Sequence, residues 1–309
     1  MRIVVHGQQA FGKAVLDALI ERKEDVVGVY VAPDRAGEKP DVLKDAAIAA
    51  GLPLHQPKSF RDPAVAETFR QLKPDLQVMA YVTLYVPSAF LEIPTHRSIQ
   101  YHPSLLPRHR GPSSINWPII MGEKETGLTI FWPDDGLDTG DILLQKKTPI
   151  GPDDTLGSVY FDRLFPMGVA AVLEAIDLVK AGRAPRIKQD DSRATYEGWC
   201  GHDNARIDWA KPIGQTYDLI RGCNPQPGAW TTLDGQLLRV YEAQPIPARQ
   251  PGGIAGRMGE VVTIDEDGLA VACADGRMRL GRLKLAEGPK VKAAELVARV
   301  GLKPGARLV

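Results

Sequence analysis

Cysteine is scarce in this sequence: Cys200, Cys223 and Cys273 are the three among 309 residues. An odd, sparse set with no pair at metal-ligand spacing excludes a disulfide framework and points to a reducing compartment. The three read as small hydrophobes. Net charge is missing as well. Lys and Arg total 38, as do Asp and Glu, so no global field draws the chain to nucleic acid or an anionic membrane, although a local basic patch is compatible with that balance. Long apolar runs are also absent. Nothing approaches the roughly 20 apolar residues of a membrane span, and the run that follows Met1 is too short for the core of a secretory signal. The chain is expected in the cytoplasm, with no membrane partner. No internal repeat or low-complexity tract is visible.

What is present is ordinary for a globular protein. Hydrophobic residues make up 44% and charged residues 25%, which with zero net charge excludes disorder. At roughly 100–200 residues per domain, the length accommodates two. Residues 2–6 form a short apolar run ending at Gly7, the pattern of a buried parallel strand entering a turn. Phe11, Val15, Leu16, Leu19 and Ile20 then recur at helical spacing. Strands are expected at 26–32, 52–55, 76–81, 98–101, 127–132 and 141–147, with helices at 41–50 and 63–72. A long helix is expected over 155–181, interrupted near Pro166. The alternation predicts an α/β fold with a doubly wound, mostly parallel sheet. After about residue 200 the character changes to short β-like segments. Leu233-Asp234-Gly235, Asp265-Glu266-Asp267-Gly268 and Ala274-Asp275-Gly276 read as turns, with strands at 261–264, 269–272 and 278–280. A loop is expected over Pro245 to Gly256 and a closing helix at 292–300. The domains are placed at 1–203 and 204–309, the second a small β-rich, barrel-like unit.

The segment Gly7-Gln8-Gln9-Ala10-Phe11-Gly12-Lys13-Ala14 follows a strand and opens a helix. It departs from the P-loop pattern at Ala14, where a hydroxyl is required, and from the dinucleotide pattern at Gln9, where the second glycine belongs. A tight turn whose glycines serve geometry accounts for it, with a role beside the substrate as the alternative.

The densest chemistry lies in Gln100-Tyr101-His102-Pro103-Ser104-Leu105-Leu106-Pro107-Arg108-His109-Arg110-Gly111. This run leaves a predicted strand, so His102 stands at a carboxyl end, where open α/β sheets place their ligand crevices. A histidine there exchanges protons near neutral pH, but a structural histidine fits the segment equally. The second run, Asp134-Asp135-Gly136-Leu137-Asp138-Thr139-Gly140-Asp141, follows the strand ending at Trp132. It reads as a solvated acidic loop, as a cation site without the EF-hand order, or, beside His102, as the source of a carboxylate that orients the imidazole.

Taken together, His-Pro-Ser-Leu-Leu-Pro-x-x-Arg-Gly at 102–111 and Leu-Asp-Thr-Gly-Asp at 137–141 resemble the signature of the folate-dependent formyltransferase family. That family includes methionyl-tRNA formyltransferases, sugar formyltransferases and the hydrolase domain of 10-formyltetrahydrofolate dehydrogenase. Arg221-Gly222, Pro227-Gly228-Ala229-Trp230 and Pro304-Gly305-x-Arg307-Leu308 extend the resemblance along the chain. Ile115-Asn116-Trp117, Phe131-Trp132-x-Asp134-Asp135 and Ala194-Thr195-Tyr196-Glu197-Gly198 look most like the hydrolase-domain branch. The larger dehydrogenase's carrier and aldehyde dehydrogenase domains have no counterpart here, so the resemblance carries no expectation of oxidation.

The resemblance implies a Rossmann-like formyltransferase domain followed by an OB-like one. It also implies 10-formyltetrahydrofolate as co-substrate, no metal, and acyl transfer from a formamide nitrogen. His102 and Asp138 match the family's catalytic histidine and aspartate, and Gln100 stands where the family has asparagine. Gln100 is then either a repositioned oxyanion donor or a bystander while backbone N–H groups do that work; the second is the expectation. Folate contacts are implied at Met79, Ala80, Tyr81, Leu84, Asp134, Asp135 and Gly136. Arg110 would meet a carboxylate or support the loop. The acceptor stays open among water, a thiol carrier, an amine such as that of a sugar nucleotide, and methionyl-tRNA. The tRNA enzymes carry a basic insertion after the second strand, whereas Pro33 to Pro40 is short and mixed in charge, so water or a small acceptor is favoured. The rival reading, resting on Gln100, is a folate- or nucleic-acid-binding protein without activity.

Overall fold

A computed structural model describes residues 1–248 and 256–309. They form two compact units: one of Met1–Gly111, Gly127–Thr148 and Phe161–Tyr196, the other of Pro112–Thr126, Pro149–Tyr160 and Glu197–Val309. The second unit thus takes in two segments from before residue 204, and local bonding within it holds them. Asn116 Nδ2 donates to the carbonyls of Gly222 (2.9 Å) and Gln226 (3.1 Å), and the Tyr217 hydroxyl donates to Asp153 (2.9 Å).

The first unit is built on a seven-stranded sheet. Its strands are β1 (Arg2–Gly7), β2 (Asp25–Tyr30), β3 (Leu54–His55), β4 (Leu76–Ala80), β5 (Ser98–His102), β6 (Glu125–Phe131) and β7 (Ile142–Pro149). Their order is β3-β2-β1-β4-β5-β6-β7. The pairs from β3 to β5 are parallel, and β5–β6 is antiparallel. The apolar runs read from the sequence are these strands, and β4 is buried at every position, as a sheet covered on both faces requires. Helix Gln9–Glu21 buries Phe11, Val15, Leu16 and Leu19. Helices Val42–Ala49 and Pro63–Gln71 start at Asp41 and Asp62, whose side chains accept from the N–H groups of Leu43 and Ala64, as N-caps do. The interruption expected near Pro166 is present: a π-helical stretch, Val159–Leu164, precedes helix Phe165–Lys180, whose first turn holds the proline.

The glycine turn after β1 is a matter of packing. A Cβ on Gly7 would lie 2.2 Å from the Ala80 carbonyl oxygen, so the backbones of β1 and β4 approach this closely only with glycine there.

The second unit carries a six-stranded sheet: β8 (Ala229–Leu233), β9 (Gln236–Pro247), β10 (Val261–Asp265), β11 (Gly268–Cys273), β12 (Gly276–Leu285) and β13 (Lys290–Lys292). Every recorded pairing in it is antiparallel. The three expected Asp-Gly turns join β8 to β9, β10 to β11 and β11 to β12. At the first, Asp234 and Gly235 both have positive φ, 50° and 76°, the requirement of a type I′ hairpin. Strand β9 overruns the loop expected from Pro245. Its partner β8 reaches only to the Ala229–Val240 pair, so beyond it one edge of β9 is open, and a strand with an open edge tolerates proline. The rest of that expected loop, residues 249–255, lies outside the described residues. Helix Ala293–Val300 matches the closing helix. Cys200 and Cys223, remote in sequence, lie with their sulfurs 3.9 Å apart in this unit's core.

A line of buried polar groups crosses the first sheet. Gln77 Nε2 lies 3.0 Å from His6 Nδ1, and Ser98 donates to Gln77 Oε1 at 2.8 Å. Burial holds the His6 imidazole down at about 3, against an ordinary value near 6.5. The folded protein therefore keeps His6 neutral while the unfolded chain takes up its proton. The associated stability is fully present above about pH 6.5 and drains away as the pH falls toward 3. By about pH 4.5 the loss should be on the order of 2–3 kcal/mol. His6→Gln, which keeps a polar partner without a charge to gain, should show a flatter dependence of Tm on pH between about 6.5 and 4.5 than the wild type. Parallel curves would show that His6 does not stay neutral.

Candidate active site

Strand β5 alternates its faces. Tyr101 stacks on Phe11 with ring centroids 4.2 Å apart, while Gln100 and His102, two residues apart, share the opposite face. His102 is only 5% exposed. Its Nε2 lies 2.8 Å from the His109 carbonyl oxygen. A carbonyl only accepts, so Nε2 carries the hydrogen, and in the neutral ring Nδ1 is the basic position. Nδ1 faces Asp138 Oδ2 at 3.6 Å, too far for a hydrogen bond but close enough for the carboxylate to stabilise a proton arriving on Nδ1.

Asp138 is 7% exposed, and its Oδ2 accepts from the Gly111 N–H at 2.8 Å. The acidic loop around it is folded on its own side chains. Asp134 Oδ1 accepts from the Gly136 N–H (3.1 Å) and the Thr139 hydroxyl (2.5 Å), and Asp135 Oδ1 accepts from the Ser88 N–H (3.1 Å). A Cβ on Gly136 would fall 2.0 Å from Thr139 Oγ1, and one on Gly140 would fall 1.7 Å from the Trp132 carbonyl oxygen. Both glycines are demanded by the loop's closure.

The structure supports this loop through a residue that sequence reasoning missed. Gln189, 5% exposed, donates from Nε2 to the carbonyls of Asp138 (2.8 Å) and Gly140 (2.7 Å). Its Oε1 accepts from Arg110 Nε (3.1 Å) and Nη2 (2.8 Å). Arg110 also donates to the Tyr196 hydroxyl (2.6 Å) and Asp191 (2.7 Å). The Arg110 guanidinium is turned to these protein partners, the Asp191 carboxylate among them. Gln189 stands 51 residues beyond Asp138 in a polar stretch, and no local pattern distinguishes it.

Gln100 is half-buried, and no described residue is hydrogen-bonded to its side-chain amide. Most nearby backbone donors are committed. Pro103 and Pro107 have no N–H, and those of Ser104, Leu106, Arg108, His109, Arg110 and Gly111 are all bonded. Among the described residues, the Leu105 N–H is the one in this run with no hydrogen bond, so a backbone donor and the uncommitted Gln100 side-chain amide both remain candidates for the role of the family asparagine.

The implied folate contacts divide. Met79 and Ala80 are 3% and 0% exposed, and the Met79 side chain packs among Tyr30, Phe60 and Phe90. Their side chains are packed in the core of this unit, so a folate contact at these two residues would fall to the backbone at the end of β4. Tyr81 is 40% exposed at φ 68°, and Leu84 is half-buried against the same cluster. A cavity of about 320 Å³ opens beside the acidic loop, lined by Ser88, Leu91, Trp132, Asp134, Asp135 and Arg186 among others. Arg186 lies over the Trp132 ring at 4.1 Å. Burial and then the like charge of Arg97 lower the pKa of Arg186. A larger cleft of about 740 Å³ in the second unit is lined by Asp153, Tyr217, Arg221 and Arg279 among others. It holds Arg221 from the resemblance, whereas the smaller cavity holds Asp134 and Asp135 of the implied folate contacts.

Comparison with known proteins adds the following. A formyl transferase family model matches residues 1–176, and a model of the formyl transferase C-terminal domain matches residues 201–301. The chain is 38% identical over 305 residues to the cytosolic 10-formyltetrahydrofolate dehydrogenase of Xenopus laevis, covering 96% of this chain and 34% of that protein. It thus spans about a third of the length of that relative. It is also 38% identical over 313 residues to the methionyl-tRNA formyltransferase of Geobacter metallireducens, covering 100% of this chain and 98% of the relative. Among solved structures, HypX from Aquifex aeolicus in complex with tetrahydrofolic acid has a TM-score of 0.68 at 19% identity, covering 97% of this chain and 47% of that one. The N-formyltransferase of Helicobacter canadensis has a TM-score of 0.67 at 17% identity, covering 90% and 97%. At such identities these two structures report the fold alone. The two family models and the end-to-end sequence match agree with the site found at the end of β5: the chain belongs to the formyl transferase family.

Proposed function

We propose that this protein removes the formyl group of 10-formyltetrahydrofolate, passing it to water or a small acceptor and releasing tetrahydrofolate. The observation that carries the reading is the buried His102 whose basic nitrogen faces the Asp138 carboxylate at 3.6 Å, at the strand end where this fold class holds its ligands. In the reaction an acceptor O–H, S–H or N–H attacks the formyl carbon. His102 Nδ1 takes the acceptor's proton, Asp138 stabilises the imidazolium, and a tetrahedral oxyanion forms. The Gln100 amide donates to that oxyanion. Collapse breaks the bond from carbon to the folate nitrogen, and His102 returns the proton to that nitrogen. The cavity beside the acidic loop, with Leu91 and Trp132 in its wall, offers a pterin an apolar surface and polar edges. Asp134 and Asp135 line it, and Gly136, Tyr81 and Leu84 are proposed as further folate contacts outside that lining. We place the reaction in the cytoplasm, where the three free cysteines remain reduced.

A small acceptor is favoured because the segment after β2, Pro33 to Pro40, is short and mixed in charge. Transfer to methionyl-tRNA is the second reading, favoured by the full-length match to the Geobacter relative. Tetrahydrofolate release measured with water alone, a thiol, a sugar-nucleotide amine or methionyl-tRNA separates these readings. Turnover accelerated only by methionyl-tRNA would replace the first with the second. Binding of folate without turnover under any condition would make this a binding protein.

His102→Ala should slow formyl release on the order of 10³-fold while folate affinity stays within several-fold, and Asp138→Asn should lower turnover strongly with little change in Tm. Near wild-type turnover in His102→Ala would remove that residue from the mechanism, and a collapse of Tm in Asp138→Asn would make the aspartate structural. With the Gln100 side-chain amide free to reach the oxyanion, Gln100→Leu should cost roughly 10²–10³-fold in single-turnover rate at unchanged folate affinity. Retention of most of the rate would show that the oxyanion is stabilised elsewhere.

A further inference from the structure

We propose that Gln189, anchored by Arg110, is the positioning residue that holds Asp138 at the distance and orientation from His102 that catalysis requires. The inference rests on the reading of His102 and Asp138 as the reacting pair, and it adds a component that no sequence motif marks.

The argument is one of satisfied valences. A primary amide has two N–H donors and a carbonyl that accepts twice. At Gln189 all four are used: the N–H groups on the Asp138 and Gly140 carbonyls, and the oxygen on Arg110 Nε and Nη2. The orientation admits no reversal, because a guanidinium only donates and a peptide carbonyl only accepts. The clamp thus joins two loops that leave different strands. Arg110 belongs to the loop after His102, and Asp138 to the loop after β6. The Gly111 N–H on Asp138 Oδ2 (2.8 Å) is a second link between the same two loops, and it fixes the carboxylate where Gln189 fixes the backbone.

The clamp has something to restrain. Asp138 sits at φ 56° and His109, whose carbonyl holds the imidazole, at φ 55°. Non-glycine residues in the left-handed region persist only where their surroundings impose it. Without the two bonds to the carbonyls of 138 and 140, Asp138 would relax towards a commoner backbone conformation, and displacements of about 1 Å at a reacting pair cost on the order of 10²-fold in rate.

The test uses the full chain carrying Gln189→Leu, Gln189→Glu or Asp138→Asn, and the double variant Gln189→Leu/Asp138→Asn. Gln189→Glu keeps the acceptor for Arg110, and with it the loop's anchor, while losing both N–H donors. It therefore reports on the clamp even if the leucine variant fails to fold. The readouts are kcat and KM for tetrahydrofolate release from 10-formyltetrahydrofolate with the fastest acceptor, and the Kd of tetrahydrofolate. The expected result for Gln189→Glu is a fall in kcat of about 10²-fold with Kd within threefold. The double variant should be little slower than Asp138→Asn alone, since both changes remove the same interaction. A packing role would lower Tm, leave kcat of the folded protein intact and give losses that multiply in the double variant; either result would overturn the clamp. Full kcat in Gln189→Glu with an inactive Asp138→Asn would sink the clamp alone. Full kcat in Asp138→Asn would sink the reading of the catalytic pair, and the clamp with it.

Discussion

The site depends on a buried carboxylate being held still. Asp138 is withdrawn from water, and an unpaired carboxylate there would carry a large desolvation cost. The Gly111 N–H meets that cost with a short, charge-assisted bond, and in doing so ties the loop after β6 to the loop after β5. The rest of the catalytic end follows from this tie. The His109 carbonyl can fix the imidazole tautomer because its loop ends at Gly111, and Arg110, one residue earlier, faces inward to Gln189. The acidic loop closes over its own Asp134 and Asp135 because its far end is anchored.

Strain gathers in the turns between the strands. Gln9 after β1, Tyr81 after β4, His109 after β5 and Asp138 after β6 all have positive φ. Lys23, Lys73 and Arg97, just ahead of β2, β4 and β5, have positive φ as well, so the conformational cost falls in turns at both ends of the strands. A rigid parallel sheet can hold such turns in place because each is pinned between strands that are themselves buried on both faces. The glycine turn after β1 shows the same economy: its Gly7 serves the approach of β1 to β4, and the phosphate-binding patterns it superficially matches are not needed to explain it.

The second unit obeys different rules. Strand β8 alternates in burial while β11 is buried throughout, three of the unit's hairpins turn on Asp-Gly pairs, and its core is drawn from distant segments, with Leu308 near the carboxyl end beside Ile207, Trp209 and Val240. The cysteines, scarce and spaced beyond any motif, belong to this core, where Cys200 and Cys223 touch. Among the described residues no helix is long and apolar enough to cross a membrane.

Local pattern determined much of this protein. The strand runs, the Asp caps at 41 and 62, the break at Pro166 and the Asp-Gly hairpins were legible because each is decided by neighbours a few residues away. His102 and Asp138 were legible as motif residues for the same reason. Tertiary structure decided what depends on distant partners. It withdrew the Met79 and Ala80 side chains into the core, because an interior strand has no solvent face. It let β9 run through Pro245 and Pro247, because β8 is too short to cover that edge. It turned Arg110 inward and recruited Gln189 from a featureless stretch, because a buried loop must satisfy its carbonyls with whatever donor the fold brings near. A hydrogen bond between residues 51 positions apart leaves no periodicity in the sequence, and only the folded chain shows that it exists.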